Sequence, residues 1–345
     1  MKVLVTGHRG YIGVEMVPAL RAAGHDVVGL DVGYYDECDF ARAPDEVPEL
    51  RVDLRDVMPE HFKGIDAVIH LAALSNDPLG DINKDLTYDI NLHASMRLAR
   101  AAKEAGVKRF LFSSSCSLYG AGGDGYLDET AGFQPVTAYG ESKVRVEQEC
   151  AALASPGFSP VYLRNTTAYG VSRRLRADIV VNSLVGFAVT TGKVLLQSDG
   201  TPWRPLVHIQ DINLAFICCL TAPTDVIHNQ AFNIGRTSEN FRIRQVAEMV
   251  AEVVPNSQVS FAPGASPDTR NYRVDFKKAE TKLPGFKPRW TLKQGIEELY
   301  AAYKAAGLSK QDWEGTRYYR LRTINSLRER GLLDDNLRRP AAVSR

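Results

Sequence analysis

The sequence predicts an α/β fold: a doubly wound parallel sheet carrying a smaller, interleaved second domain. Three observations predict it. Short apolar runs suited to strands alternate with helical patterns through the first half of the chain. Three glycines spaced three apart, Gly7, Gly10 and Gly13, interrupt the first run at its end. The second run, Val27 to Leu30, closes on Asp31, eighteen positions beyond Gly13. Such alternation lays crossover helices on a parallel sheet and leaves a ligand crevice at the carboxyl ends of the strands.

The first strand, Val3 to Val5, breaks into Thr6-Gly7-His-Arg9-Gly10-Tyr11-Ile12-Gly13. The first glycine permits a tight turn, the second lets backbone approach a pyrophosphate, and the third lets helix pack closely on strand. Phosphates then rest on the positive helix end, beside Tyr11 and Ile12. Asp31 is placed to accept hydrogen bonds from the adenosine ribose and would repel a 2'-phosphate, which favours NAD over NADP. Arg9 dissents, since from within the turn it can reach a 2'-phosphate; the other reading is a solvated loop arginine.

Further strands are expected at Leu50 to Val52, Ala67 to Leu71, Arg109 to Phe112 and Pro160 to Leu163. The residues at or just after their ends carry the candidate site. Asp53, followed by Leu54, bonds the adenine amine or simply caps the short segment at Asp56. Leu71, Ala72 and Ala73 allow close approach of a flat cofactor, with Ser75 beyond them toward the substrate. Ser113 to Ser115 and Asn165 to Thr167 follow the last two strands. Beyond Gly170 the alternation loosens, and Val207 to Gln210 with the following helix reads as a return to the sheet. The expected division is a Rossmann-type dinucleotide domain at 1–171 and 205–235, and a smaller substrate-binding cap at 172–204 and 236–345. The tail from Trp313, basic with Arg and Leu at helical spacing, reads as a surface helix.

The chemistry gathers at Tyr139-Gly-Glu-Ser-Lys143, where four-residue spacing puts phenol and ammonium on one helix face. A free phenol, with a pKa of about 10, is a poor base at neutral pH, but a nearby ammonium and an oxidised nicotinamide would stabilise the phenolate. Tyr139 can then take a proton from a sugar hydroxyl. Ser115 offers a hydrogen bond to the reacting oxygen, and Ser113 satisfies backbone near the cofactor.

The chain has 345 residues, 42 basic against 41 acidic, for a net charge of +1, so no overall field draws nucleic acid or an anionic membrane. Five cysteines without metal-ligand spacing fit reduced thiols in the cytoplasm and no metal. Met1-Lys2 leads directly into the first strand without a signal pattern, and no run approaches a membrane span.

Together, Thr6-Gly7-x-x-Gly10-x-x-Gly13, Asp31, His70-Leu-Ala-Ala73, Ser115-x-x-x-Tyr119-Gly120 and Tyr139-x-x-x-Lys143 resemble the extended short-chain dehydrogenase/reductase family, and within it the nucleotide-sugar epimerase/dehydratase branch. Arg204-Pro-Leu-Val-His208-Ile-Gln-Asp211 and Phe286-Lys-Pro288 with the following segment resemble that branch's later motifs. The resemblance implies bound NAD, deprotonation of a sugar 4-hydroxyl by Tyr139, and a 4-keto intermediate. The branch's 4,6-dehydratases carry Asp-Glu just beyond the catalytic serine; Cys116-Ser117 stands there, which favours 4-epimerisation. The alternative is a 4,6- or 5,6-dehydratase with Cys116 as acid or base; against it, Cys116 also reads as a small buried residue. A nucleotide diphosphate would be held by Arg174, Arg176, Arg204 and Arg270, of which Arg204 and Arg270 match branch positions, while Arg174 and Arg176 also read as solvated loop charges. Ser117 lies beside the sugar, and Asn182 or Asp268 can orient sugar or base. Thr167 replaces the Asn usual before Tyr-Gly, which leaves the sugar nucleotide open. The family also implies a homodimer, for which Ala94, Met96, Leu98, Ala99 and Ala102 offer an apolar helix face; the same residues also read as an ordinary sheet-facing helix. From another class comes a non-catalytic dinucleotide-binding regulator, which needs neither Tyr139 nor Lys143.

Overall fold

A computed structural model describes residues 1–75, 83–120, 122, 125–266 and 271–340. Among them, seven parallel strands form the central sheet, in the spatial order Gln230–Ile234, Ser159–Asn165, Arg109–Ser115, Ala67–His70, Lys2–Thr6, Asp26–Leu30, Glu49–Leu50. Val3 to Val5 and Ala67 to Ile69 are fully buried, which is why these strands read as continuous apolar runs rather than alternating ones. The chain builds outward from Lys2–Thr6 to one edge, then returns to build the other half from Ala67–His70. The order reverses between those two strands, and the crevice opens at their carboxyl ends. There His70 is locked between Thr6 Oγ1 at 2.7 Å and Ser95 Oγ at 2.8 Å, and burial pulls its pKa down to about 3. It is a neutral packing residue.

A second apolar core surrounds the helix Val180–Thr191, uniting Leu184 and Val185 with Val246 and Val250 of helix Ile243–Val253 and with Ile296 and Leu299 of helix Leu292–Ala305. The strand Trp203–His208 does not rejoin the central sheet, contrary to the sequence expectation. It pairs in parallel with Thr167–Tyr169 and antiparallel with Asn240–Arg242, and the place beside Ser159–Asn165 goes to Gln230–Ile234. An apolar run states that a strand exists and leaves its partner unstated.

Of the two readings of Ala94, Met96, Leu98, Ala99 and Ala102, the sheet-facing one holds: each is at most 2% exposed and packs in the chain's own core. A further expectation is corrected. The tail is not a surface helix: Trp313, Arg320 and Ile324 are buried, and the helix Arg320–Glu329 packs Ile324 and Leu327 against Leu74 and Leu86. Among the described residues no helix is long and apolar enough to cross a membrane, and all five cysteines are free and buried.

Candidate active site

The crevice begins at the glycine turn. Gly7 has φ of +71°, and a Cβ there would lie 2.8 Å from the Ala72 nitrogen; a Cβ on Gly13 would lie 2.2 Å from the Gly7 oxygen. Turn, strand end and helix start are therefore in direct backbone contact, and only glycine allows it. The helix Gly13–Ala22 starts at this point, turning its positive end toward an anion. Asp31 is fixed by the Gly33 N–H at 2.8 Å and the Arg9 N–H at 3.1 Å. Gly7, Gly10, Tyr11, Ile12, Gly13, Asp31, Asp53, Leu54, Leu71, Ala72 and Ala73 all line one cavity of about 880 Å³, near the upper end of the roughly 300–1,000 Å³ that ligand sites span. The residues fit a dinucleotide.

Arg9 does not face that cavity. Its guanidinium holds Glu49 through two bonds of 2.7 and 2.8 Å and reaches Asp36 at 3.3 Å, and this bond to Arg9 holds the Glu49 carboxyl down at about 2. With its charge met by carboxylates, Arg9 contributes its backbone to Asp31 and no cation to a 2'-phosphate. Asp53 caps the short helix Leu54–Asp56 through the Arg55 N–H at 2.9 Å, and its carboxylate also takes the Arg55 guanidinium at 2.7 Å. It still borders the cavity.

At the other end of the cavity, Thr137 caps the helix Ala138–Ala151, whose first two turns carry Tyr139 and Lys143. Lys143 is 4% exposed, donates to the Ser113 carbonyl at 2.7 Å, and stands 5.5 Å from the Tyr139 ring centroid. Burial pulls its pKa down to about 7, against a smaller opposing pull from Glu147. Ser115 Oγ donates to Ser117 Oγ at 3.1 Å, while Asn165 donates to Ser113 Oγ at 3.0 Å. Asn165 Oδ1 is buried and has no hydrogen-bond partner among the described residues, an acceptor poised for a ligand donor. Ser113, Ser115, Ser117, Tyr139, Lys143, Asn165, Thr167 and Ser75 share the cavity wall.

Cys116 does not. Its side chain is fully buried, with Sγ 3.2 Å from the Arg164 carbonyl, packed among Leu118, Tyr119 and Val144. Burial pushes the thiol's pKa well up. A sulfur turned into the core reaches no sugar carbon, which removes it from the acid and base candidates.

The cap-side candidates divide in the same manner. Arg176 and Arg204 line the cavity, each 7% exposed; Arg176 binds Asp178 at 2.8 Å and Ser75 Oγ at 3.1 Å, and Arg204 donates to the Trp203 carbonyl at 2.8 Å. Arg174 is neither a ligand-facing cation nor a solvated one. It is 1% exposed and ties the Arg9 and Asp36 carbonyls, at 3.1 and 2.8 Å, to the Asp39 carboxylate. Asn182 is wholly buried, accepting from the Gly170 N–H at 3.1 Å and donating to the Arg176 carbonyl at 3.1 Å, so it shapes the wall without facing the ligand. Arg270 and Asp268 lie outside the described residues. The cavity also takes in Tyr35, Phe187, Tyr319 and Arg320, which the sequence reading misses. The signal was present in Tyr318-Tyr319-Arg320, since aromatic rings mixed with arginine suit a half-buried wall better than a solvated helix.

A family model described as NAD dependent epimerase/dehydratase family matches residues 3–235. The UDP-glucose 4-epimerase of Corynebacterium glutamicum is 27% identical over 325 residues, spanning 89% of this chain and 97% of the relative. That of Lactobacillus helveticus is 29% identical over 314 residues, spanning 84% and 92%. Among solved structures, MoeE5 in complex with UDP-glucuronic acid and NAD superposes with a TM-score of 0.78 at 29% identity, covering 89% of this chain and all of the other.

Proposed function

The chain belongs to the NAD-dependent epimerase/dehydratase family, and from that premise we propose that it is a nucleotide-sugar 4-epimerase working through a transient 4-keto sugar. One observation carries the choice of epimerase: the position beyond Ser115 holds a thiol buried against the Arg164 carbonyl, so the place that would carry a 4,6-dehydratase's acid–base pair offers no such group to the sugar. The relatives' names make a UDP-hexose the first substrate to try.

Bound NAD supplies the hydride acceptor and donor. The chain's own residues do the rest. Tyr139 takes the proton of the 4-hydroxyl and later returns it; the Lys143 ammonium, one helical turn away, stabilises the phenolate by charge. Ser115 donates to the same sugar oxygen, holding it near Tyr139. The diphosphate lies toward Arg204 and the cap, where guanidinium can grip it in two places. The small neutral side chains of Ser75, Ser117 and Thr167 leave the sugar room to present its other face when the hydride returns. We place the enzyme in the cytoplasm and as a homodimer; the buried faces found above require that pairing use the outer surfaces of its helices.

Incubation with UDP-, dTDP- and GDP-hexoses, followed by mass spectrometry and NMR, tests the reading. Unchanged mass with inverted configuration at C4 is the expected result. Loss of one water from any of these substrates overturns it.

A further inference from the structure

Two guanidinium groups reach the crevice from outside the motifs, and one carboxylate packs with them. Arg176 takes that carboxylate, Asp178, through bonds of 2.8 and 3.2 Å. Arg320, 2% exposed, lies 4.2 Å from the centroid of the Tyr35 ring and donates from Nη2 to the Arg174 carbonyl at 2.7 Å. Its Nη1 is buried with no hydrogen-bond partner among the described residues. A buried cation with an unmet donor is costly unless an anion meets it.

Position indicates which anion. Arg174, whose carbonyl accepts from Arg320, itself donates Nε to the Arg9 carbonyl at 3.1 Å, one residue before Gly10. Tyr35 follows Asp31 by four residues and lines the same cavity. Arg320 and Tyr35 therefore border the same cavity as the glycine turn and Asp31. The rest of the tail converges on the same end. Tyr34 donates its hydroxyl to the Leu337 carbonyl, and Arg55, which holds Asp53, donates to the Asn336 carbonyl at 2.8 Å. Arg338 pairs with Asp56 and with Asp53, and Arg339 donates to the Val32 and Gly33 carbonyls at 3.1 and 2.8 Å. Beneath these bonds Ile324, Leu327, Leu333 and Leu337 share one apolar cluster with Leu74 and Leu86.

We propose that the C-terminal arm is a third wall of the dinucleotide site: Arg320 binds the diphosphate of NAD, and residues 336–339 close over its adenosine end, so that the cofactor leaves only when the arm lifts. The arm lies beyond the part of the chain that the family model matches. Its role concerns cofactor retention alone and holds whichever sugar reaction the enzyme performs.

The test uses full-length protein carrying Arg320→Met and, separately, the double variant Arg338→Ala/Arg339→Ala at the arm's polar end. Each is loaded with NAD, and exchange against isotopically labelled NAD is timed; binding of UDP is titrated alongside, because the other diphosphate in the crevice belongs to the sugar nucleotide. Removing a charge-assisted bond predicts exchange roughly ten- to a hundredfold faster for Arg320→Met, and several-fold faster for the double variant, with UDP affinity within about twofold of the parent. Exchange at the parental rate in the double variant overturns the closing role, and this arm of the test survives even if Arg320→Met folds poorly. Unchanged exchange in a folded Arg320→Met protein, with UDP bound tenfold more weakly, overturns the assignment to NAD.

Discussion

The two ends of the crevice are built in different ways. At the reaction end, Tyr139 and Lys143 are one helical turn apart and Ser113 and Ser115 two residues apart on one strand, so their relation is local. Elsewhere along the crevice, Arg176, Arg204 and Arg320 arrive from three separate segments, Arg176 meeting Ser75 and Arg320 meeting the Arg174 carbonyl through bonds between residues far apart in sequence. Chemistry can thus be written in a short motif, whereas the choice and retention of ligands depends on which distant segments pack together. Two arginines of one short run, Arg174 and Arg176, show how far such packing decides: one ties loops, the other faces the ligand.

The largest effect should fall at the local end. Tyr139→Phe keeps the ring and removes the base, so kcat should drop roughly a thousandfold, within the range for general bases, with the melting temperature unchanged. A drop below tenfold would break the contrast. Lys143→Met should lower kcat roughly a hundredfold and also leave a signature in stability. Burial holds Lys143 at about 7, against about 10.4 in an unfolded chain. Between those values the unfolded chain binds a proton that the folded one does not, so in NAD-free protein this group makes unfolding free energy rise with pH from about 7 to 10. Urea unfolding at several pH values should show that rise reduced in Lys143→Met relative to the parent.

At the cap end the two kinds of arginine should separate. Arg204→Gln is expected to raise KM for the sugar nucleotide roughly tenfold with little change in melting temperature. Arg174→Met should instead cost about 2 kcal/mol of stability, because it leaves the Arg9 and Asp36 carbonyls without their donor, and leave KM within about twofold. Equal KM effects in both would erase the distinction. The smallest effect belongs to Cys116→Ala, with kcat within twofold and about 1 kcal/mol lost to a small cavity; a hundredfold loss of kcat would return the thiol to the chemistry.

Legibility in the sequence followed the same division. The glycine turn, Asp31 and the Tyr139 helix could be read because backbone geometry dictates their spacing. Cys116, Arg174 and Asn182 could not: each sits one or two residues from a cavity-lining neighbour, and which of two adjacent side chains faces the ligand depends on strand register and loop path. Arg9 stayed open between two readings because Glu49 and Asp36, its partners, lie 40 and 27 positions away. The apolar face at Ala94 to Ala102 was visible, but its periodicity is the same whether it meets a sheet or a second subunit. The tail reads as a surface helix because its arginines suggest solvent, while Ile324, Leu327, Leu333 and Leu337 are committed to Leu74 and Leu86.

The central claim is that Tyr139 moves the 4-hydroxyl proton while the hydride at C4 never leaves the site. The direct measurement is NMR and mass analysis of the product formed from a UDP-hexose in D2O. The account predicts an epimer inverted at C4, of unchanged mass and with no deuterium on any carbon, formed roughly a thousandfold more slowly by Tyr139→Phe. Deuterium at C5, or a product lacking one water, would contradict it.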